Sequence, residues 1–393
     1  MLLALIGVAL PHGASFGALG VSISREDPEE IWVLAEGWGL AHTVNGGGAW
    51  AWICEESLGG EELYGVVSTG PNTAIVATRD GLRGVGETCG GSVIPGTEGA
   101  FFPAVAQGPN GVLGLGIGAD AGGVWRCDAA TCAPTELMGP GIFPKSVRVD
   151  DTRVWVTVVY EDTLASDLLR SDDGGQSWSV VASWPDGDSD PRVLHADGDH
   201  VFVWRRTRSE TDTPELLVSD DGGVSFTSTL ATGWYTDSAP ALLVLDDALL
   251  LGSVAGARTW RSGDAGGTWV EVSPDVPAVR CAATTADGVG YACGDHVQDG
   301  FDLARTTDGG TWVPVACLED ALPAACANDA CGGLLTSYQT AGSYGGGKCD
   351  TIIRPPEPPP ADEGCACDES AAALLLVPLG LARRRRAYGP KRK

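Results

Sequence analysis

The sequence predicts an all-β fold, and three observations carry that reading. Apolar residues alternate in short runs such as "RVWVTVVY", "HVFVWRR" and "ALLLGSV", broken by Gly, Asp, Asn and Pro, while helical periodicity is almost absent. Glycine (56) and tryptophan (13) are abundant and methionine (2) is scarce, a balance of turn formers and large anchors suited to thin sheets. A turn motif also recurs along the chain, and its period decides the architecture.

The motif is clearest in "LLRSDDGGQSW", Leu168 to Trp178. "VSDDGGVSF" ends at Phe226, "RSGDAGGTW" at Trp269, "RTTDGGTW" at Trp312, and "HTVNGGGAW" at Trp50 with Asn45 for the aspartate. Two eroded copies, "GLRGVGETC" and "VWRCDAATC", end at Cys89 and Cys132. The register residues are then Thr43, Val85, Cys127, Ser171, Ser219, Ser262 and Thr306, with gaps of 42, 42, 44, 48, 43 and 44 residues. A repeat of about 40–45 residues with four short strands is the pattern of a β-propeller. Seven copies predict seven blades of four antiparallel strands. In blade 4 the strands are expected near Lys145–Val149, Arg153–Val159, Asp167–Ser171 and Ser177–Ala182. The motif then falls in the hairpin between the third and the outermost strand.

The chemistry of that hairpin accounts for its residues. A Ser or Asp side chain accepts bonds from the amides of its own turn, glycine supplies positive φ, and the aromatic folds against the sheet. Three copies are complete. They are Ser171, Asp173, Gly175 and Trp178; Ser219, Asp221, Gly223 and Phe226; and Ser262, Asp264, Gly266 and Trp269. The copy at Thr306, Asp308, Gly310 and Trp312 is one residue short before its aromatic. This pattern resembles the Asp-box, or BNR repeat, over residues 15–316. The resemblance implies a propeller of the sialidase-like, WD40/YVTN/BNR-like kind. It does not imply one function, because sialidases, sortilin-like receptors and photosystem assembly factors all carry such boxes. The aspartates are expected to staple turns; calcium at a box is the alternative.

Composition bounds the partners. The formal net charge is -27, and seven of the 25 cations lie in the last eleven residues, leaving 18 cations against 52 acids, or -34, in the body. Such a field repels nucleic acid and anionic lipid and suits neutral or cationic partners. Twelve cysteines in an acidic β-rich chain point to an oxidising, exported setting. The start, "MLLALIGVALPHGASFG", reads as a secretory apolar region over residues 1–14, although it lacks a positive n-region. A buried first strand is the alternative there.

Cys127 and Cys132 flank the turn of an eroded box and are expected to pair, as are Cys281 and Cys293 on adjacent strands of blade 7. Cys54 with Cys89 is a weaker pairing. Cys317, Cys326, Cys331 and Cys349 fall in residues 317–353, a Cys-rich segment expected to be a small cap with two bridges of its own. Zinc is the alternative, without a Cys-x-x-Cys pair or a nearby His to support it. Residues 354–368 hold a Pro-rich linker and a Gly-Cys pair at Gly364–Cys365, and residues 369–393 an apolar stretch followed by an arginine run. This order resembles the MYXO-CTERM sorting tail of myxobacterial and related exported proteins. The resemblance implies export, processing at Cys365, engagement of the sorting machinery and retention at the cell surface or outer envelope. The short apolar run, with Pro378 and Gly380, and the extension beyond the arginines depart from that pattern.

Catalytic signals are few. A sialidase-like hydrolase would resemble its relatives in an early Arg-Ile-Pro, an arginine triad and a Tyr–Glu nucleophile pair. No Arg-Ile-Pro occurs; Arg170, Arg261 and Arg305 hold a repeat position, and Tyr160–Glu161 is only a partial echo. "GASFG" lacks the strand–turn–helix setting of a nucleophile elbow, and "GSYGGGKC" has Cys349 where a P-loop needs Ser or Thr. The loop "WPDGDSDP" spaces Asp186, Asp188 and Asp190 as a weak calcium candidate, with a solvated turn as the plain reading. No other cofactor is expected.

Propeller ligands usually meet the face opposite the box hairpins. By this register that face carries Trp38, Tyr160, Trp184, Arg205, Arg206, Arg208, Trp234, Tyr235 and His296. Blade 5 has the longest excursion, "RRTRSETDT", whose three arginines are a candidate recognition patch, against a plain charged hairpin. Trp184 and Trp234 are candidate stacking platforms for sugar rings, against interblade packing. The sequence thus predicts an exported, surface-retained, monomeric propeller that binds a protein or glycan. The alternatives are a sialidase-like glycoside hydrolase and a purely structural envelope component.

Overall fold

In the computed structural model the chain is described from Ala18 to Ala324, with Cys331. Residues 36, 60–61, 87–90, 109–110, 119–121, 128–130, 136–138, 151–152, 188, 208–212, 232–238, 254–257, 274 and 319–320 lie outside the description. Seven antiparallel sheets follow one another, each built from four consecutive strands. The third strands are Gly39–Thr43, Gly81–Val85, Gly122–Cys127, Ser166–Ser171, Glu215–Ser219, Arg258–Ser262 and Leu303–Thr306. Each ends on the register residue that the repeat assigns to it. Blade 4 runs Ile142–Asp150, Arg153–Tyr160, Ser166–Ser171 and Ser179–Trp184.

The first strands are Ala18–Ile23, Leu63–Gly70, Phe101–Gly108, Ile142–Asp150, Ser189–Asp197, Ala241–Val244 and Ala282–Thr284. They touch in an unbroken cycle in which blade 1 meets blade 7, so they surround the axis of a seven-bladed β-propeller. Strand direction alternates within a blade. The hairpins between first and second strands therefore emerge on the same face as the turns between third and fourth strands, here the turn face. The loops between second and third strands, and those between blades, emerge on the other, the loop face.

The core is divided among the blade interfaces. One buried cluster joins blades 2 and 3, the next blades 3 and 4, and so on to blades 6 and 7. The largest surrounds blade 1 and takes in residues of both blade 2 and blade 7. Trp32, Trp155 and Trp204, all on second strands, are fully buried. A thin blade cannot bury both faces alone, and one indole on a strand fills most of the gap to the neighbouring sheet.

The repeated turns fasten these interfaces. In blade 4 the Ser171 hydroxyl donates to Asp173 Oδ1 (2.7 Å) and accepts the Gly175 amide (2.7 Å). Asp173 Oδ1 accepts the amides of Gln176 and Ser177, and its Oδ2 accepts the Ser177 hydroxyl. In blade 5 the Ser219 hydroxyl donates to Asp221 and accepts the Gly223 amide (2.8 Å), and Ser225 caps Asp221. In blade 6 the Ser262 hydroxyl donates to Asp264 and accepts the Gly266 amide (2.9 Å), and Thr268 caps Asp264. Blade 7 repeats the scheme one residue shorter, with the Gly309 amide on Thr306 and Thr311 on Asp308. In blade 1, Asn45 Oδ1 accepts the Ala49 amide (2.9 Å). The residue that supplies a hydroxyl elsewhere is alanine there, which fits an amide whose other atom donates rather than accepts.

The glycines of these turns do more than the sequence reading assigned to them. Gly175, Gly223 and Gly266 have φ of 91°, 83° and 90°. The positive φ expected of them is present, and Gly223 and Gly266 have a second role. Both are buried, and each lies against an aromatic of the preceding blade. A Cβ at Gly223 would meet Trp155 at 3.0 Å, and one at Gly266 would meet Phe202 at 2.7 Å. The physical reason is that the turn lies flat on its neighbour, so glycine is needed for interblade approach as well as for chain direction. Ala265 shows that φ alone does not demand glycine. It holds the preceding left-handed position (φ 54°), which is glycine in the other four turns, and it is exposed.

Each turn reaches over the preceding blade. Trp178 packs on the core between blades 3 and 4, Phe226 on that between 4 and 5, Trp269 on that between 5 and 6, and Trp312 on that between 6 and 7. The arginine before the register residue works in the opposite direction. Arg126 bonds the Gly174 carbonyl of blade 4, and Arg170 bonds the Gly222 carbonyl of blade 5 (3.3 Å).

The ring is closed by the same device with additions. The Trp50 indole donates to the Val315 carbonyl of blade 7 (3.4 Å). Beyond blade 7, Leu322–Pro323 adds a parallel fifth strand to the outer edge of blade 1. Cys331 is then bonded to Cys54, 277 residues away. This corrects two sequence expectations: Cys54 does not pair with Cys89, and Cys331 does not belong to a self-contained two-bridge cap. The reason is the returning strand, which carries the segment after blade 7 along blade 1. Cys127 is bonded to Cys132 and Cys281 to Cys293. Cys317 is also disulfide-bonded. Cys326, Cys349, Cys365 and the tail lie outside the described residues. No helix among the described residues is long and apolar enough to cross a membrane.

Cys331→Ser removes a cross-link that closes a 277-residue separation. It should lower the unfolding free energy by up to roughly 5 kcal/mol in the chain-entropy account, as read by denaturant titration. A pH dependence is expected from the turns. The hydroxyl and amide bonds from Ser225 hold Asp221 at about 2, and those from Thr311 and Gly310 hold Asp308 at about 2. The amides and hydroxyls of Ser177 and Thr268 likewise lower Asp173 and Asp264. Folded carboxyls below their unfolded value stabilise above pH ~4. That contribution is lost as pH falls through the folded value of about 2. The thermal unfolding temperature should therefore fall steeply over this window, less steeply in Asp221→Asn, while Asp221→Ala is weaker at every pH.

Candidate functional site

Those sequence-predicted residues that are described lie on the loop face, and the structure separates them. Arg205 and Arg206 are neighbours on one strand, so their side chains leave on opposite faces of the sheet. Arg205 forms an ion pair with Glu215, its cross-strand partner. Arg206 turns the other way and reaches Asp190 Oδ2 (2.9 Å). Arg208, Trp234, Tyr235 and Asp188 lie outside the described residues. The predicted arginine trio is thus not one patch across the described strand.

Trp184 is 8% exposed, with its ring 6.0 Å from that of Phe226 in the next blade. It is an interblade packing residue and not an open stacking platform, which corrects that expectation. Trp38 is likewise buried, stacked on Trp52 at 4.6 Å. His296 opens a single helical turn, His296–Asp299. The Tyr160 hydroxyl donates to Asp167 Oδ2 (2.8 Å). Burial and that carboxylate push its phenol up to about 12, which disfavours ionisation as a nucleophile. Glu161, its sequence neighbour, is exposed.

Asp190 does not fit the calcium candidate either. It is 4% exposed and lies between Arg192 (3.3 Å) and Arg206 (2.9 Å). Burial alone would raise its carboxyl, but the charges of Arg192, Lys145 and Arg206 bring it below its ordinary value. Both guanidiniums engage its Oδ2, and two positive charges beside one carboxylate repel a cation shared with Asp186, whose Oδ2 accepts from Ser189. Arg192 also donates to the Lys145 carbonyl (2.7 Å), tying the first strand of blade 5 to that of blade 4. The arginines weighed for a substrate-binding triad are placed on third strands, near the turns. Arg170 bonds the next blade's turn, pairs with Asp172 (3.1 Å) and lies 5.6 Å over the Trp155 ring.

The loop face also contains a groove the sequence reading missed. Between blades 2 and 3, Tyr64, Arg79, Gly99, Phe101, Ile117 and Gly118 line a cavity of about 530 Å³. Tyr64 and Phe101 open the first strands of the two blades and meet edge to face at 4.8 Å. Arg79, exposed, comes from the loop after the second strand of blade 2. Glycines at 99 and 118 keep the groove wide because no side chain enters it. A signal was present: "LYGVV", "FFPAV" and "IFPKS" each place an aromatic where a first strand begins.

Comparison with known proteins supports the architecture. No protein-family model matches the sequence, and no curated protein matches it. Among solved structures, an ancestral GH74 enzyme is similar with a TM-score of 0.54 at 14% identity, over 77% of this chain and 46% of that chain. This chain therefore spans less than half of that enzyme. YCF48 from Cyanidioschyzon merolae is similar with a TM-score of 0.50 at 15% identity, over 73% of this chain and 95% of that chain. Kuenenia stuttgartiensis hydrazine synthase is similar with a TM-score of 0.54 at 12% identity, over 78% of this chain and 100% of that chain. At these identities the likeness is one of fold.

Proposed function

We propose that this chain is an exported propeller, retained at the cell surface, that binds a protein or glycan at its loop face without catalysis. The observation that carries the proposal is the groove in which Tyr64 and Phe101 stand beside Arg79. Tyr64 and Phe101 are half-buried; the exposed parts of such rings stack on sugar rings or apolar side chains, and a guanidinium beside them fixes hydroxyl or carboxylate groups. Arg192 and Arg206, held by one buried carboxylate, add charge to the same face.

The remaining parts follow from the sequence. The repeated turns are read as Asp-boxes that serve as fasteners over residues 15–316. Residues 1–14 serve export, 317–353 form the Cys-rich segment, 354–368 the linker with Cys365, and 369–393 the sorting tail. Bonded cysteines accord with an oxidising compartment.

A glycan array and an immobilised-protein binding screen test this reading. Phe101→Ala and Arg79→Ala should each weaken the ligand by about 2 kcal/mol, roughly thirtyfold, whereas Asp173→Asn on the turn face should leave it unchanged. Binding that survives the loss of both groove residues would remove the groove from the reading. Robust turnover of a fluorogenic sialoside, abolished by a loop-face arginine substitution, would replace binding with hydrolysis.

A further inference from the structure

A second cavity lies on the turn face, away from the groove described above. It measures about 580 Å³ and runs across blade 6, from the hairpins that end the first strands of blades 5, 6 and 7 to the turn at Ser262. Phe202 and Leu245, both buried, form its floor. His195 forms one side, its ring tilted against Phe202 at 6.2 Å.

The rim is acidic. Asp197, Asp246 and Asp247 come from two different hairpins, and all three are exposed. Among the described residues their carboxylates make no hydrogen bond or ion pair. The neighbouring charged groups are engaged elsewhere. His200 faces Asp220 (2.8 Å), and Arg148, on the axial side of His195, donates to the carbonyls of Leu194 (2.6 Å) and Val147 (2.8 Å). Burial and the nearby Arg148 charge lower the His195 pKa, which favours its neutral form beside the rim acids. Gly288 crosses opposite Asp246, where a Cβ would come within 3.2 Å of that carboxylate; the glycine leaves the space to it.

We propose that this cavity receives a basic side chain, arginine or lysine, presented by a partner protein. The chemistry is complementary along the length of such a side chain. Its methylene stem covers the Phe202 and Leu245 floor, and its charged head meets the rim carboxylates. A body charge of 18 cations against 52 acids steers a cationic segment toward the molecule, and the unengaged carboxylates of this cavity give it a place to stop. The site is independent of the loop-face groove, so either can fail without the other.

Calorimetric titration of the full chain tests this. The probes are acetyl-Gly-Arg-Gly-amide, its lysine counterpart, and the citrulline analogue, which keeps the shape and removes the charge. The basic peptides should bind, and citrulline should not. Asp197→Asn and Asp246→Asn should each weaken binding roughly fivefold, and the pair together more than tenfold, with thermal unfolding unchanged. Asp80→Asn, which removes the same charge on the loop face, should have little effect. Phe101→Ala should leave these peptides bound while it weakens the loop-face ligand. No binding of either basic peptide would overturn the proposal, as would equal binding of citrulline or an unchanged affinity in the double variant.

Discussion

The hydroxyl that ends the third strand is the joint on which the rest of the ring depends. In Ser171, Ser219 and Ser262 it donates to the aspartate two residues on and accepts the amide of the glycine four residues on, Gly175, Gly223 or Gly266. That pair of bonds fixes the path of the turn. The path in turn throws the aromatic over the preceding blade and places a glycine carbonyl within reach of an arginine from that blade. One short sequence therefore sets both the local hairpin and the angle between two sheets. The acids are held ionised by amide and hydroxyl donors, which makes the fastener strongest where those carboxylates are charged.

A ring imposes a constraint that a stack does not, because the last interface must join residues far apart in sequence. Blade 1 meets blade 7 with a full buried core, and the chain adds a fifth strand and a disulfide there. The eroded turn of blade 3 shows a related substitution, since Cys127–Cys132 ties the hairpin where no hydroxyl and aspartate pair exists. Two covalent bonds thus appear where the turn chemistry is missing and where the ring closes.

The repeat made the fold legible. Its register residues end the seven third strands because the turn chemistry is local and leaves its mark in consecutive residues. The burial of Gly223 and Gly266 was not legible, because it depends on aromatics of another blade. Nor was the closure, since nothing near Cys54 or Cys331 encodes a return across 277 residues. The loop face was read less well. Trp184 resembled a platform in sequence, but the side of a strand on which an indole lies is set by the neighbouring blade. Arg205 and Arg206 looked like one patch, and strand alternation parts them. The Tyr64–Phe101–Arg79 groove gathers residues from two blades, and its aromatic signal has meaning only once the first strands are aligned. The acidic cavity is harder still to see, because it joins hairpins of three blades whose acids look like ordinary solvated turns.

The central claim is that the repeated turns act between blades and not only within their own hairpins. A double-mutant cycle between Arg170 of blade 4 and Asp221 of blade 5 tests it most directly. Arg170 bonds the Gly222 carbonyl, whose position Asp221 sets. Denaturant unfolding of wild type, Arg170→Met, Asp221→Ala and the double variant should show clear non-additivity, because breaking the turn already removes the acceptor from the arginine. Strictly additive losses would mean that the turn and the arginine stabilise the ring independently, and would contradict the account.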